Sequence, residues 1–307
     1  MPSSRNSILK IASTPTIENF VRHSFLFRPL VHRFVAGDTL EETFPQIEAL
    51  AEKGFFVSLD NLGENFKTVQ ETDNATELYI QILNRIAKSP LASLINISIK
   101  LTECGLDQDE ELAKNHYHQI LERALSLGIF VRVDMEGSAY TESTLRLVQE
   151  AFKRYPNTGT VLQTSLYRTE KDAADLTNAG IRVRLVKGAY LEPENVAYQS
   201  KHQVDEQYLK IAKYLLKEAP FPAFATHDEH IIAQVKYFAD KEKIAKDQFE
   251  FQMLYGIRRD LQQSLKEEGY QVRIYTPFGQ SWYPYFTRRL AERPANLFFV
   301  LKSLLKG

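Results

Sequence analysis

Residues 181–190 read IRVRLVKGAY. In a strand, side chains alternate, so Ile181, Val183 and Leu185 share one face while Arg182, Arg184 and Val186 share the other. A strand this apolar is buried on both sides: one face meets helices, and the other must accommodate guanidinium groups in a shielded space. Charges withdrawn from water are costly unless they are paired, so partners for these arginines are required.

The same alternation recurs along the chain. Ile95, Ile97 and Ile99 alternate with Asn96, Ser98 and Lys100, and Ile129, Val131 and Val133 alternate with Phe130, Arg132 and Asp134. Val161 and Gln163 share a face, as do Glu250 with Gln252 and Arg273 with Tyr275. If the apolar set faces helices, the polar set lines one interior, with Lys100, Asp134, Gln163, Arg184 and Tyr275 at strand ends. In a (β/α)8 barrel the C-terminal strand ends carry the catalytic groups, because the loops above them vary without disturbing the scaffold. The pattern therefore points to an enzyme.

Strands are expected at residues 55–60, 94–100, 129–134, 159–163, 181–186, 222–225, 249–252 and 271–275. Helical patterns fall at 74–88, 107–127, 141–155, 169–179, 200–218, 228–241, 257–268 and 281–292. Alternation this regular favours a closed parallel barrel over an open sheet. We expect one α/β domain, a distorted TIM-type (β/α)8 barrel over 55–292. Extra N-terminal helices would occupy 1–54 and a C-terminal helix 293–307. Residues 17–35 are aromatic, basic and irregularly amphipathic, and read as a cap on the barrel or as a membrane-surface helix. Thr39 is placed as the N-cap of the helix over 40–53, with Glu42 three residues on and Gly54 as its stop.

The charge balance excludes several classes. A formal net charge of -1 gives no electrostatic footprint for nucleic acid. The single cysteine, Cys104, excludes an internal disulfide framework and suits a reducing compartment. Neither a secretory signal nor an apolar run of about 18 residues is evident, so a soluble, cytoplasmic protein is expected.

Near the C-terminus, SWYPYFTRRLAERPAN at 281–296 places Tyr285, Arg288, Arg289 and Glu292 at spacings of i, i+3, i+4 and i+7, one polar stripe of a helix. Two adjacent guanidinium forks beside a tyrosine suit a carboxylate or phosphate, while a solvated basic turn near a helix C-terminus has the same composition. His227 and His230 in HDEH have a metal-like spacing but supply too few ligands for zinc. No GxGxxG occurs, so a Rossmann-type dinucleotide site is not expected.

With VRLVKGAY at 183–190 and YFTRRLAERPANLFFVL at 285–301, the chain resembles the proline dehydrogenase family, in its monofunctional bacterial form. RFVAGDTLEE at 33–42, SLDNLGE at 58–64, SIKLT at 98–102 and VRVDMEGS at 131–138 extend the resemblance in order from 33 to 301. Glu103 and Cys104, directly after SIKLT, depart from the family's pattern. The resemblance implies a barrel holding non-covalent FAD that oxidises L-proline to Δ1-pyrroline-5-carboxylate by hydride transfer, with electrons passed to a quinone. The product would go to a separate pyrroline-5-carboxylate (glutamate semialdehyde) dehydrogenase. Membrane contact would be peripheral at most, at the inner face.

By the same resemblance, Lys100, Arg288 and Arg289 hold the proline carboxylate, and Tyr275, Tyr285 and Tyr190 wall its ring. The resemblance also carries over Asp134, which on its chemistry orients a cationic or hydroxyl partner and need not take a proton itself, and it puts Arg184 near flavin N5. Met135, Gln163, Arg184, Lys187, Gly188, Ala189, Thr226, His227 and Glu292 contact the cofactor, with Leu185 as its apolar neighbour. Two other classes fit the residues taken alone: a lyase-type barrel with a Schiff base on Lys100 or Lys187, and a non-catalytic amino-acid-binding barrel.

Overall fold

Eight parallel strands close on themselves in chain order. They are β1 (Phe56–Asn61), β2 (Ile95–Ile99), β3 (Val131–Val133), β4 (Thr158–Gln163), β5 (Arg182–Val186), β6 (Ala223–Ala225), β7 (Glu250–Leu254) and β8 (Gln271–Phe278). The ring is sealed where β8 pairs with β1, from Phe56 opposite Arg273 to Asn61 opposite Phe278. The protein is seen in a computed structural model that describes residues 14–24, 27–63 and 66–292. The helix expected over 293–307 lies outside them. Helices follow as α1 (Pro15–His23), α2 (Arg28–Val31), α3 (Leu40–Glu52), α4 (Val69–Ala87), α5 (Glu110–Ser126), α6 (Ser138–Phe152), α7 (Thr169–Asn178), α8 (Lys201–Glu218), α9 (Glu229–Lys241), α10 (Arg259–Glu267) and α11 (Trp282–Glu292).

Cap chemistry sets the helix ends. The Thr39 hydroxyl accepts from Glu42 N at 3.2 Å, and Gly54 takes φ 78° just past the end of α3. α4 begins at Val69, five residues before the expected start, because Thr68 and Glu71 form a reciprocal capping box. Apart from the exposed Val69 its first turn is polar and carries no apolar period, so hydrophobic patterning misses it. β8 runs three residues beyond expectation, to Phe278, because pairing with β1 continues that far.

The strand faces divide as the alternation predicts. Ile97, Val131, Val183, Leu185, Phe224, Phe251 and Ile274 are buried against the helices. The interior of most such barrels is packed with branched aliphatic side chains. Here its lower part is filled by guanidinium groups: Arg132 donates to the carbonyls of Thr160 (3.1 Å) and Arg182 (2.7 Å), and Arg273 pairs with Glu250 at 3.0 Å. Arg132 and Arg182 also stack on Phe130, at 4.8 and 4.7 Å from its centroid. Gly159 makes the space: a Cβ there would meet Arg132 Nη1 at 3.1 Å and the Phe130 ring at 2.9 Å.

The N-terminal helices pack beside the barrel mouth. Val21, Val31, Phe34 and Val35 form an apolar cluster with Leu62 and with Trp282, Tyr283, Tyr285 and Phe286 of α11. The Arg22 guanidinium lies 5.3 Å from the Trp282 ring centroid and donates to Gln280 O at 2.9 Å. The segment therefore braces α11, the helix that carries Arg288 and Arg289.

Candidate active site

A cavity of about 660 Å³ opens at the C-terminal ends of the strands. Lys100, Asp134, Met135, Gln163, Arg184, Lys187, Gly188, Ala189, Thr226, His227, Tyr275, Tyr285, Arg288 and Arg289 all line it, so closure of the barrel brings these expected site residues to one space. The side chain of Glu292 lies outside the described residues. Leu185 does not line the cavity. It sits on the outward face of β5, fully buried against helices, and its carbonyl accepts from Tyr208 Oη at 3.1 Å. Period-two alternation requires that orientation, and Val161 and Val186 supply the apolar lining instead.

At the floor, the Arg184 guanidinium pairs with Asp134 Oδ1, and its Nη1 donates to Gln252 Oε1 at 3.2 Å and Ser98 Oγ at 3.4 Å. Tyr275 donates its hydroxyl to Asp134 Oδ2 at 2.7 Å, so Asp134 holds a cation and a hydroxyl together. Arg184 and Tyr275 lie inside their strands rather than at the ends, which sinks this group below the rim. The Tyr275 hydroxyl is pushed well above its ordinary value, by burial first and then by the charges of Asp134 and Asp60, so it remains a donor.

On one wall, the Lys100 ammonium binds Asp60 at 2.8 Å and Glu103 at 3.4 Å. Burial alone would lower this ammonium; the charges of Asp60, Glu103 and Asp134 outweigh it and push it well above the usual lysine range. Asp60 ends an alternating strand as Asp134 does, so the signal that marked Asp134 also marks it. Arg289, which also lines the cavity, lies over the Tyr285 ring, 5.4 Å from its centroid.

Beyond β5 and β6, Lys187 binds Asp205 at 2.6 Å and Asp228 at 2.8 Å. Burial would raise Asp228, but the hydrogen bond and charge of Lys187 outweigh it and hold it at about 2. Asp228 also caps α9, accepting from His230 N at 3.1 Å. His227 Nε2 accepts from Leu254 N at 3.0 Å, which puts the proton of the neutral ring on Nδ1. Thr226 Oγ1 accepts from Asp228 N at 3.1 Å, and Gln163 donates to Glu136 O at 2.8 Å. Gly188 has φ 113°, and any Cβ there would overlap Ser165 Oγ.

The family profile described as Proline dehydrogenase matches residues 43–302. Proline dehydrogenase 2 of Bacillus subtilis (strain 168) is 42% identical over 274 residues, covering 89% of this chain and 90% of the relative. Proline dehydrogenase of Deinococcus radiodurans is 40% identical over 309 residues, 99% of this chain and 98% of the relative. Among solved structures, proline utilization A from Bdellovibrio bacteriovorus inactivated by N-propargylglycine superposes with a TM-score of 0.80 at 26% identity, over 86% of this chain. The chain spans 32% of that longer protein. A match over most of the chain, joined by relatives covered almost end to end, means that this chain belongs to the proline dehydrogenase family.

Proposed function

We propose that this chain is an FAD-dependent proline dehydrogenase that oxidises L-proline to Δ1-pyrroline-5-carboxylate, the first step of proline catabolism, and passes the electrons to a quinone. The observation that carries the reading is the convergence of Lys100, Arg288 and Arg289 on one cavity above the Arg184–Asp134–Tyr275 group. Three cations lining one cavity suit an anionic substrate group such as a carboxylate, and guanidinium forks bind one with two parallel hydrogen bonds. An amino acid held by its carboxylate from the wall leaves its ring over the floor, beside Tyr275 and Tyr285.

The residues also fit a flavin. Gly188 lines the cavity with backbone at a positive φ of 113°, leaving its peptide uncovered by a side chain there, and Arg184 Nε is buried with no hydrogen-bond partner among the described residues. Arg184 brings a fixed positive charge to the floor, where a reduced anionic ring needs one. Met135, Gln163, Ala189, Thr226 and His227 would hold the cofactor, and Glu292 its edge. Lys187 gives two of its three ammonium protons to Asp205 and Asp228, and the third is left for a ribityl or phosphate oxygen. When bound, FAD supplies N5 as the hydride acceptor. Loss of hydride from C5 of neutral proline leaves an iminium, and loss of its N–H proton gives Δ1-pyrroline-5-carboxylate. The protein contributes orientation and charge complementarity, with no nucleophile. The high affinity of Lys100 for its proton argues against a Schiff base there.

No described helix is long and apolar enough to cross a membrane. From the family's quinone-linked chemistry we infer a cytoplasmic protein that meets a lipid-soluble quinone by peripheral contact at the inner face. The product would pass to a separate pyrroline-5-carboxylate dehydrogenase. The test is the visible spectrum of the purified protein, with anaerobic L-proline. Flavin absorbance bleached by proline is expected; a colourless protein that cannot be reconstituted with FAD, or one trapped by borohydride with a carbonyl substrate, overturns the reading.

A further inference from the structure

Behind Lys100 lies a buried group that the reaction above does not use. Glu103 and Asp60 are each 1% exposed, and Asp60 lines the cavity while Glu103 does not. A turn returns the chain after β2, with Glu103 N donating to Lys100 O at 3.1 Å, so the Glu103 carboxylate comes up beneath the ammonium. Its second oxygen accepts from Tyr79 Oη at 2.5 Å, and Tyr79 reaches in from α4 outside the barrel. Gly63 closes the other side: a Cβ there would stand 3.4 Å from Glu103 Oε1. Glu103 cannot reach a ligand, and it acts only through Lys100.

One ammonium between two ionised carboxylates is over-neutralised. An incoming carboxylate then approaches a cluster of net charge minus one, and competes with Glu103 for the protons of Lys100. With Glu103 neutral, the Lys100–Asp60 pair is balanced and the ammonium is freer to turn to the cavity. We propose that Glu103 is a positioning residue that sets how strongly Lys100 holds the substrate carboxylate, gripping the ammonium when ionised and releasing it when protonated. The inference rests on the proposed function only in taking Lys100 as a carboxylate holder. Burial first, opposed by Lys100 and reinforced by Asp60, raises Glu103 to about 7, so both states are populated near neutrality. The titratable groups facing it are Lys100 and Cys104 on its own turn, Asp60 on β1, Tyr79 on α4 and Glu136 after β3. Tyr79 and Cys104 are pushed far up by burial, while burial also raises Asp60 and Glu136, so a variant is needed to assign the titration.

The test is calorimetric binding of cyclopentanecarboxylate to the full-length, FAD-loaded protein between about pH 6 and about pH 8.5, where this amine-free acid stays ionised. Affinity of the parent should fall on the order of tenfold across that window, and Glu103→Gln should hold the low-pH affinity throughout. Tyr79→Phe removes a hydrogen bond to the ionised form, so its fall should move to higher pH. If Glu103→Gln keeps the parent's fall, or Tyr79→Phe leaves the midpoint in place, the proposal is wrong even though Lys100 binds the carboxylate. If Lys100→Met binds as tightly as the parent, the assignment of Lys100 itself fails.

Discussion

Arg184 and Asp134, fifty positions apart, form a buried ion pair at the floor of the cavity, with side chains 7% and 12% exposed. The pair is closed by the Tyr275 hydroxyl on the second Asp134 oxygen. Asp134→Ala should strand the guanidinium, and breaking a buried pair from one side costs ~3–5 kcal/mol. Thermal unfolding should fall by several degrees and turnover should drop. Asp134→Asn keeps the shape and should recover part of the stability without the turnover; equal stability of all three proteins would contradict the pairing.

Arg184→Ala tests the charge at the floor. The FAD-loaded variant should have a lower flavin potential or weaker cofactor retention, because the fixed cation that favours the anionic reduced ring is gone. Potentiometry and cofactor release measure both. Unchanged potential and retention, with lost affinity for cyclopentanecarboxylate, would move Arg184 to the carboxylate site.

Arg288 and Arg289 separate fork geometry from charge. Arg288→Lys keeps the charge and loses the planar fork, and should chiefly raise KM for proline. Either alanine variant should also misplace C5 and lower kcat. Hydrogen bonds to charged groups contribute ~1.5–3 kcal/mol, so affinity should fall about tenfold to a hundredfold per arginine. Alanine variants that bind cyclopentanecarboxylate as the parent does would make the pair a surface feature.

Glu103 makes stability depend on pH in a defined direction. Its folded value of about 7 lies above the ordinary 4.5, so between these values the folded protein binds more protons than the unfolded chain. Stability therefore falls as pH rises through that window and is flat above it, by on the order of 3 kcal/mol. Glu103→Gln lacks the titration. The Tm difference between variant and parent should grow in the variant's favour from about pH 4.5 to about pH 7. A difference that stays constant with pH rules out the raised value.

Gly188→Ala should destabilise the loop after β5 by ~1–3 kcal/mol from its positive φ alone, with the overlap on Ser165 Oγ added. Cofactor retention should fall with it. Gly128→Ala makes the control: φ is also positive, at 68°, but no atom stands within 4 Å, so only the backbone cost remains.

The barrel was legible because its signals are local. Alternation at residues 181–186, 95–99 and 131–134 assigns each strand two faces whatever surrounds it, and a cap such as Thr39 acts within one turn. That is also why Lys100, Asp134, Gln163, Arg184 and Tyr275 could be placed on one interior face before any contact was known, although the depth of Arg184 and Tyr275 below the rim could not. What they pair with could not be read, because it depends on which side chains ring closure brings to the same height. Tertiary packing gives Lys100 to Asp60, Arg184 to Gln252 as well as Asp134, and Lys187 to Asp205 and Asp228, while the turn after β2 adds Glu103 to Lys100. Tyr79 on a helix and Glu103 in a turn carry no local mark of a site. Their meaning comes from burial and a shared lysine, and those are properties of packing, which a charge pattern along the chain does not contain.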